Sequence, residues 1–392
     1  MVGAASFIAW DTVAFWRVPG AMALVGLASL AYLAAVGVVF RLAKFPRVEG
    51  VGLVVLGVSI AFLLVVALVA LGRLYYSRSF LLAAYLASLS WLTLGLYIFL
   101  RFEVPRLGVV PVGMASELLR LEGAEWIPLK SPMLQIELDG IVADLHQKLS
   151  AEWIRFLADC SLQGVPVYHA AVVYEGLTGR LSLEHLTEGT VEAFRLPPVY
   201  PAIKRAVDIF LVLLSLPLAA PIMLGAAIWI KLDSPGPILF IQERMGQGGK
   251  PFRMVKFRTM RTDAERNGAM FARDGDSRVT KIGRWFRKFR IDELPQFWNV
   301  LKGQMSLIGP RPEQVPFARQ FADEIPYYSY RHLVKPGITG WAQVTHGYAA
   351  GKNETQEKLE YDLYYVKHFS FWLDLLIILK TIRTIFTGFG AR

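Results

Sequence analysis

The chain has 392 residues, of which 54% are hydrophobic and only 19% charged, and its 42 lysines and arginines against 32 carboxylates leave a formal net charge of +10. That length accommodates two or three domains, the apolar fraction points to membrane segments, and the positive balance suits anionic lipid headgroups or phosphorylated substrates rather than nucleic acid. The single cysteine, Cys160, excludes an intrachain disulfide or a cysteine-based metal site and fits a reducing, cytoplasm-facing compartment.

The N-terminal stretch lacks the basic start and cleavage site of a secretory signal, so no removed leader is expected. Residues 7–16, with Trp10, Phe15 and Trp16 around Asp11, resemble an interfacial segment. Three uncharged runs follow, Ala21–Phe40, Val51–Leu71 and Phe80–Leu100, each the length of one transmembrane helix. Placing Arg41, Lys44, Arg47, Arg101 and Arg106 in the cytoplasm, with Arg73 and Arg78 outside, satisfies the positive-inside bias. Residues 1–104 are therefore expected to form a membrane domain of about three helices.

Residues 105–195 have the pattern of a small cytoplasmic α/β unit. Short apolar runs (Leu107–Val112, Glu125–Leu129, Gly140–Asp144, Val165–His169) alternate with helical stretches such as Ser150–Gln163. The first turn, Val110-Pro111-Val112-Gly113, lacks the glycine spacing of a dinucleotide site, so a degenerate Rossmann-like domain without cofactor is expected. A proline-rich joint, Leu196–Pro201, separates this unit from residues 196–392.

From Ala206 to Ile230 the chain is apolar apart from Asp208, with Lys204 and Arg205 before it and Lys231 after it. The run is long enough to cross a bilayer. Pro217 and Pro221 near its centre demand a kink or break, and basic residues at both ends favour the same side. A re-entrant helix over 204–231 and a kinked span both satisfy these facts. Only re-entry leaves the middle unit and the C-terminal residues on one side.

Further on, Val279, Ile282, Trp285, Phe286 and Phe289 share one helical face, and Lys281, Arg284, Arg287, Lys288 and Arg290 the other. Such a helix suits the headgroup plane, the alternative being a core-facing helix with a solvated basic side. Next comes Asp292-Glu293, a carboxylate pair able to bind a hard divalent cation or to supply a nucleophile for phosphorus. Equally, Asp292 could be an N-cap and Glu293 a first-turn residue. On a strand, Lys256 and Arg258 would share a face and could hold phosphate oxygens. Gly309-Pro310-Arg311-Pro312 makes a rigid turn presenting Arg311, and Lys335–Trp341 a second that offers Lys335 and Thr339. Each turn could also be a plain loop. Phe369–Phe386 is amphipathic, and its Asp374, Lys380 and Arg383 favour an interfacial or protein-packed helix over a fourth span.

In this order the segments resemble the bacterial sugar transferases, the monotopic phosphoglycosyl transferases or polyprenyl glycosylphosphotransferases, over about Lys204–Gly388. The resemblance rests on Lys204-Arg205 with Asp208, the proline-broken apolar helix, Phe240–Arg244, Lys256–Met260, Asp292–Gln296, Asn299–Gly303, Met305–Pro312, Pro336–Val344 and Asp362–Lys367. It implies the long form of the family: N-terminal transmembrane helices, a Rossmann-like α/β domain, and a mainly α catalytic domain at 196–392 with a re-entrant helix whose vertex is Pro221. Two departures stand out. Ala220-Pro221 replaces the Ser-Pro of some relatives, and Lys335 stands where some have arginine.

The implied activity moves a sugar 1-phosphate from a UDP-sugar to polyprenyl (undecaprenyl) phosphate, releasing UMP and initiating surface polysaccharide or glycoconjugate assembly. Asp292 would be the nucleophile forming a phosphosugar-aspartyl intermediate, Glu293 would assist, and Mg²⁺ would be held by Asp292 and Glu293. Gln242, Arg244, Lys256, Arg258, Arg311, Lys335 and Thr339 would bind substrate. The implied setting is the cytoplasmic face of a bacterial inner membrane, with membrane lipids as partners. The N-terminal helices and middle unit have surface to spare for a homodimer. A non-catalytic scaffold for glycan assembly would not explain the retained Asp292, Glu293, Lys256 and Arg311, and a transporter would need more spans. No motif selects the sugar; the loop Tyr348–Gln356 is the expected place for that choice.

Overall fold

The structure, a computed structural model, describes residues 2–43, 45–46, 50–102, 104–133, 137–186, 194–262, 276–346 and 352–387. Lys44, Arg47 and the Tyr348–Gly351 part of the expected selectivity loop lie outside these residues. The chain divides into two compact units, Met1–Gly179 and Arg180–Arg392.

The first unit opens with α1 (Val2–Trp10) and three long apolar helices, α2 (Ala21–Leu42), α3 (Gly50–Leu71) and α4 (Arg78–Phe102). Each contains a stretch long and apolar enough to cross a membrane. Ala28, Ala31 and Ala35 line the buried side of α2, which packs on α3. Small residues are favoured there because lipid provides no hydrophobic drive between helices and close packing must hold them. Leu30, Leu33, Leu63 and Trp91 point outward instead. The aromatic N-terminal segment is tied in: Trp10 Nε1 donates to the Tyr75 hydroxyl at 3.0 Å and its ring stacks on Phe80 at 4.9 Å.

A parallel four-stranded sheet completes this unit, with β1 (Arg106–Val109), β2 (Glu125–Pro128), β3 (Gly140–Ala143) and β4 (Val167–His169) in the order β2-β1-β3-β4. Every residue of β3 is buried, as befits a central parallel strand. The connections are α5 (Ala115–Leu118) and α6 (Ala151–Leu162), with α7 (Ala170–Thr178) after β4; Ser150 caps α6 by accepting from Trp153 N. Strand order reverses between β1 and β3, where doubly wound sheets bind ligands. Here Asp144 Oδ2 accepts from Met114 N at 3.0 Å. The protein's own carboxylate takes the backbone N–H that a ligand phosphate would need.

The second unit is built on α8 (Tyr200–Asp233), 34 residues that stay helical through Pro217 and Pro221. Beyond it come the antiparallel hairpin β5 (Leu239–Met245) and β6 (Pro251–Phe257), α9 (Lys281–Lys288), a 3-10 turn (Ile291–Gln296) and α10 (Phe297–Leu301). The chain continues through β7 (Ser306–Ile308), α11 (Val315–Glu324), β8 (Gly337–Thr339), α12 (Trp341–Thr345), α13 (Lys352–Lys367) and α14 (Phe371–Thr387). β7 and β8 pair in parallel.

Both ends of α8 pack on this unit. Near its start, Val212 joins Phe252, Met254, Val300 and Met305; near its end, Ala226 and Ile230 join Phe257 and Phe286. The start is pinned by charge as well: Arg205 donates to the Val300 and Leu301 carbonyls that end α10, and Lys204 Nζ donates to Asp374 at 2.6 Å. Asp374 also accepts from Tyr200 and Tyr365 at 2.5 and 2.7 Å, while Leu373 and Ile377 are buried. Helix α14 is thus a protein-packed helix.

Candidate active site

Helix α9 begins at Thr280, whose hydroxyl accepts from Gly283 N at 3.0 Å. Its apolar face divides. Ile282 and Phe286 turn to the core, whereas Trp285 and Phe289 stay exposed, stacked at 5.6 Å with Lys288 beside both rings. Gly283 rides on the Thr259 backbone so closely that a Cβ would lie 2.2 Å from Thr259 O. This approach lets Arg287 Nε donate to Thr259 Oγ1 at 2.9 Å. Arg290 then adopts a left-handed backbone, φ 54°, which ends the helix and turns the chain into the 3-10 turn.

That turn carries Asp292 and Glu293, both buried. Glu293 is held from two sides, Oε1 by Arg311 Nη1 at 3.0 Å and Oε2 by Arg290 Nη1 at 3.3 Å. Burial alone would raise its carboxyl, but the two guanidiniums keep it below the usual range. Asp292 caps no helix: among the described residues its carboxylate has no hydrogen-bond or ion-pair partner. Burial, and then the adjoining Glu293 charge, push it up to about 7, against the pull of Lys256, Arg287 and Arg311. Lys256, likewise without a polar partner, rests 5.1 Å from the Phe240 ring centroid. Burial and then Arg244 bring its ammonium down to about 8. A carboxylate and an ammonium that satisfy each other only through space, with no bond between them, are both open to a substrate.

Beside them lies a cavity of about 320 Å³ lined by Phe240, Lys256, Arg258, Thr259, Thr262 and Arg287 among others. Arg244 and Arg311 are charged neighbours of Lys256, and Arg244 donates to Gln242 Oε1 at 2.6 Å and to Pro312 O at 3.2 Å, bracing the turn that presents Arg311. From below, Arg331 Nη2 donates to Arg311 O and, at 2.6 Å, to buried Asp362.

Other expected residues sit differently. Arg258 lines the cavity, but its guanidinium donates to Ser234 O, Ser234 Oγ and Pro235 O at 2.7 to 2.9 Å, clamping the end of α8. Lys335 lines a second cavity that shares no lining residue with the first, and Thr339 pairs its hydroxyl with Thr381 at 2.8 Å. Arg287 and Arg290 were missed as site residues. A helical wheel assigns them to a headgroup-facing cationic side; the Gly283 approach to Thr259 places Arg287, and the left-handed turn at Arg290 precedes the contact of Arg290 with Glu293.

The donor set fits Mg²⁺ of the kind that arrives with a nucleotide. Magnesium is commonly held by one or two carboxylates plus substrate phosphates, and each Glu293 oxygen retains a lone pair beyond its guanidinium bond.

Residues 199–388 match the family model for bacterial sugar transferase. An Aeromonas hydrophila protein named UDP-N-acetylgalactosamine-undecaprenyl-phosphate N-acetylgalactosaminephosphotransferase is 46% identical over 382 residues, covering 96% of this chain and 90% of the relative. The chain belongs to the bacterial sugar transferase family. UDP-glucose:undecaprenyl-phosphate glucose-1-phosphate transferases from Escherichia coli K12 and Caulobacter vibrioides match this sugar transferase at 44% and 42% identity. Each covers 48% of the chain, and 40% and 71% of the relative. The family match runs from α8 to α14 and contains every side chain of the site. Of these three matches, only that to the Aeromonas protein covers nearly the whole chain, the helices and sheet of the first unit included.

Proposed function

We propose that this sugar transferase moves a sugar 1-phosphate from a UDP-sugar to a polyprenyl phosphate such as undecaprenyl phosphate, in two steps through Asp292. An Asp292 oxygen attacks the phosphorus that bears the sugar, the bond from that phosphorus to the bridging oxygen breaks, and UMP leaves with the electron pair. An oxygen of the lipid phosphate then attacks the same phosphorus, restoring the Asp292 carboxylate and giving the polyprenyl diphosphate sugar. The observation that carries this reading is a buried carboxylate without a partner, set among Lys256, Arg287 and Arg311.

Phosphoryl transfer depends on positioning and charge neutralisation. Lys256 and Arg287 supply charge at the cavity, while Arg290 and Arg311 hold Glu293 ionised and fixed. Mg²⁺, held by Glu293 and Asp292 with the diphosphate, would offset charge on the phosphoryl oxygens.

The packing of both ends of α8 supports re-entry. A straight helix separates Val212 from Ile230 by about 27 Å, nearly a hydrocarbon core. Their partners Phe252 and Phe257, five residues apart on β6, are only about 17 Å apart. A helix bent at Pro217 and Pro221 brings its ends to one membrane face, where a cytoplasmic catalytic unit meets nucleotide and lipid together. The parallel sheet of the first unit, with Asp144 at its crevice, supports a Rossmann-like domain that has lost its nucleotide.

Purified protein with Mg²⁺, undecaprenyl phosphate and a panel of UDP-sugars tests the reaction, beginning with UDP-N-acetylgalactosamine because the relative matched over most of the chain is named for that sugar. UMP release is expected to disappear in Asp292→Asn, and a phosphosugar adduct on Asp292 to accumulate by intact mass when acceptor is withheld. Undiminished UMP release in the variant would overturn the assignment.

A further inference from the structure

The second cavity of the catalytic unit shares no lining residue with the first and holds none of the side chains given a role in the reaction above. It measures about 280 Å³ and lies at the start of α8, where exposed Val207, Phe210 and Leu213 begin the apolar surface. Two cations converge on its wall. Arg205 Nη2 and Lys335 Nζ stand 3.5 and 3.7 Å from the point that a Cβ on Gly303 would occupy. Gly303 has φ 79°, and its missing side chain leaves that point open.

Among the described residues neither cation makes an ion pair, although the Asp208 charge favours the Lys335 ammonium through space. Arg205 donates to the Val300 and Leu301 carbonyls, which are uncharged, and a guanidinium has five N–H donors. Lys335 has no hydrogen-bond or ion-pair partner among the described residues. Asp208, the acidic group of the wall, accepts from Leu307 N at 3.2 Å and lies 4.0 Å from Lys204, which Asp374 already holds. Burial and then the neighbouring Arg205 charge push the Lys335 ammonium down. Like charges sharing a half-buried space disfavour each other, and a tetrahedral oxyanion accepting from both relieves the cost. Gln247 and Ser306 add neutral polar groups to the same wall.

We propose that Arg205 and Lys335, around the space left open by Gly303, bind a phosphate group carried by a membrane lipid at a site separate from Asp292 and Lys256. The site stands whether or not the reaction proposed above is correct. Its phosphate is that of the polyprenyl acceptor or of a bulk anionic phospholipid, and the ligand comparison below separates the two.

The test is native mass spectrometry of the full chain in non-ionic detergent, titrated separately with undecaprenyl phosphate, phosphatidylglycerol and inorganic phosphate. Lys335→Gln is expected to weaken lipid-phosphate binding about tenfold or more, the loss of one charge-assisted contact. Lys335→Arg should stay within about threefold of wild type. Gly303→Asn, a residue that tolerates a left-handed backbone, should weaken binding by filling the space while preserving the thermal midpoint. Asp292→Asn should bind as wild type, so failure of the proposed reaction leaves this result untouched. Preference for undecaprenyl phosphate assigns the site to the acceptor; equal binding of both lipids assigns it to phospholipid anchoring. Lipid binding indifferent to Lys335→Gln and Gly303→Asn would overturn the site, and Lys335-dependent binding of inorganic phosphate alone would overturn its lipid character.

Discussion

Asp292 and Lys256 titrate close together, the first raised to about 7 and the second lowered to about 8. Attack on phosphorus needs the carboxylate ionised, and neutralising phosphate oxygens needs the ammonium protonated. In the free enzyme both conditions hold only between the two values, so kcat/KM for UMP release should rise as pH passes about 7 and fall above about 8. Burial and then Glu293 set the lower limb, since the Glu293 charge adds to the burial that raises Asp292 while its own ionisation is secured by Arg311 and Arg290. Glu293→Gln removes that repulsion and frees two guanidiniums, both of which lower the Asp292 value. The acid limb should therefore shift to lower pH and the basic limb stay, with reduced amplitude; an unmoved acid limb would show that Glu293 does not govern Asp292. Asp292, Glu293, Lys256 and Arg311 were legible as candidates because short carboxylate, strand and turn patterns are local, and the structure brings the four together. Arg290 escaped because its direction depends on a positive φ at a non-glycine residue, which leaves no compositional trace, and Arg287 because its placement depends on the contact of Gly283 with Thr259, distant in the chain.

Helix α9 shows what periodicity conveys and what it omits. Its amphipathic pattern fixed the helix and its face, and Ile282 and Phe286 do lie on the same side as Trp285 and Phe289. Which part of that face meets protein is decided by Phe257 and Ile230, distant in the chain. The same holds for Arg258. It follows Lys256 at strand spacing, yet its guanidinium is drawn to the carbonyls that end α8. Position along α9 is set by Gly283 against Thr259, a contact the wheel cannot express. Gly283→Ala would drive a Cβ into Thr259 O and lift the helix that carries Arg287 to the site. The expected result is a stability loss of about 1–3 kcal/mol, visible as a lowered Tm, with UMP release down on the order of 100-fold through misplaced charge. Activity retained beside the lowered Tm would mean that Arg287 does not act at the site.

For the whole molecule, the decisive quantity is the side of the membrane on which each end of α8 emerges. Hydropathy placed the ends of the three long helices within two residues and those of α8 within four, because hydrocarbon thickness sets run length. It could not choose between crossing and returning, because a proline-containing apolar run satisfies both; the proposal of re-entry is argued from packing, with Val212 and Ile230 both seated against β6. Single cysteines can read this directly. Cys160 is buried and its thiol is raised by that burial and by Asp159, so it reacts poorly, and Cys160→Ala removes it altogether. In that background Glu184→Cys lies before α8 and Lys231→Cys at its far end, both exposed, while Tyr76→Cys lies in the exposed turn between α3 and α4. A membrane-impermeant maleimide applied to intact cells and to inverted vesicles should label Glu184→Cys and Lys231→Cys from one side, the cytoplasmic one, and Tyr76→Cys from the other. The comparison of the first two does not depend on the orientation of the N-terminal helices. Labelling of Glu184→Cys and Lys231→Cys from opposite sides would make α8 a crossing helix. The residues after α8, Asp292 among them, would then lie across the bilayer from Glu184, and nucleotide sugar could reach Asp292 only if the order of the loops around α2 to α4 were inverted as well.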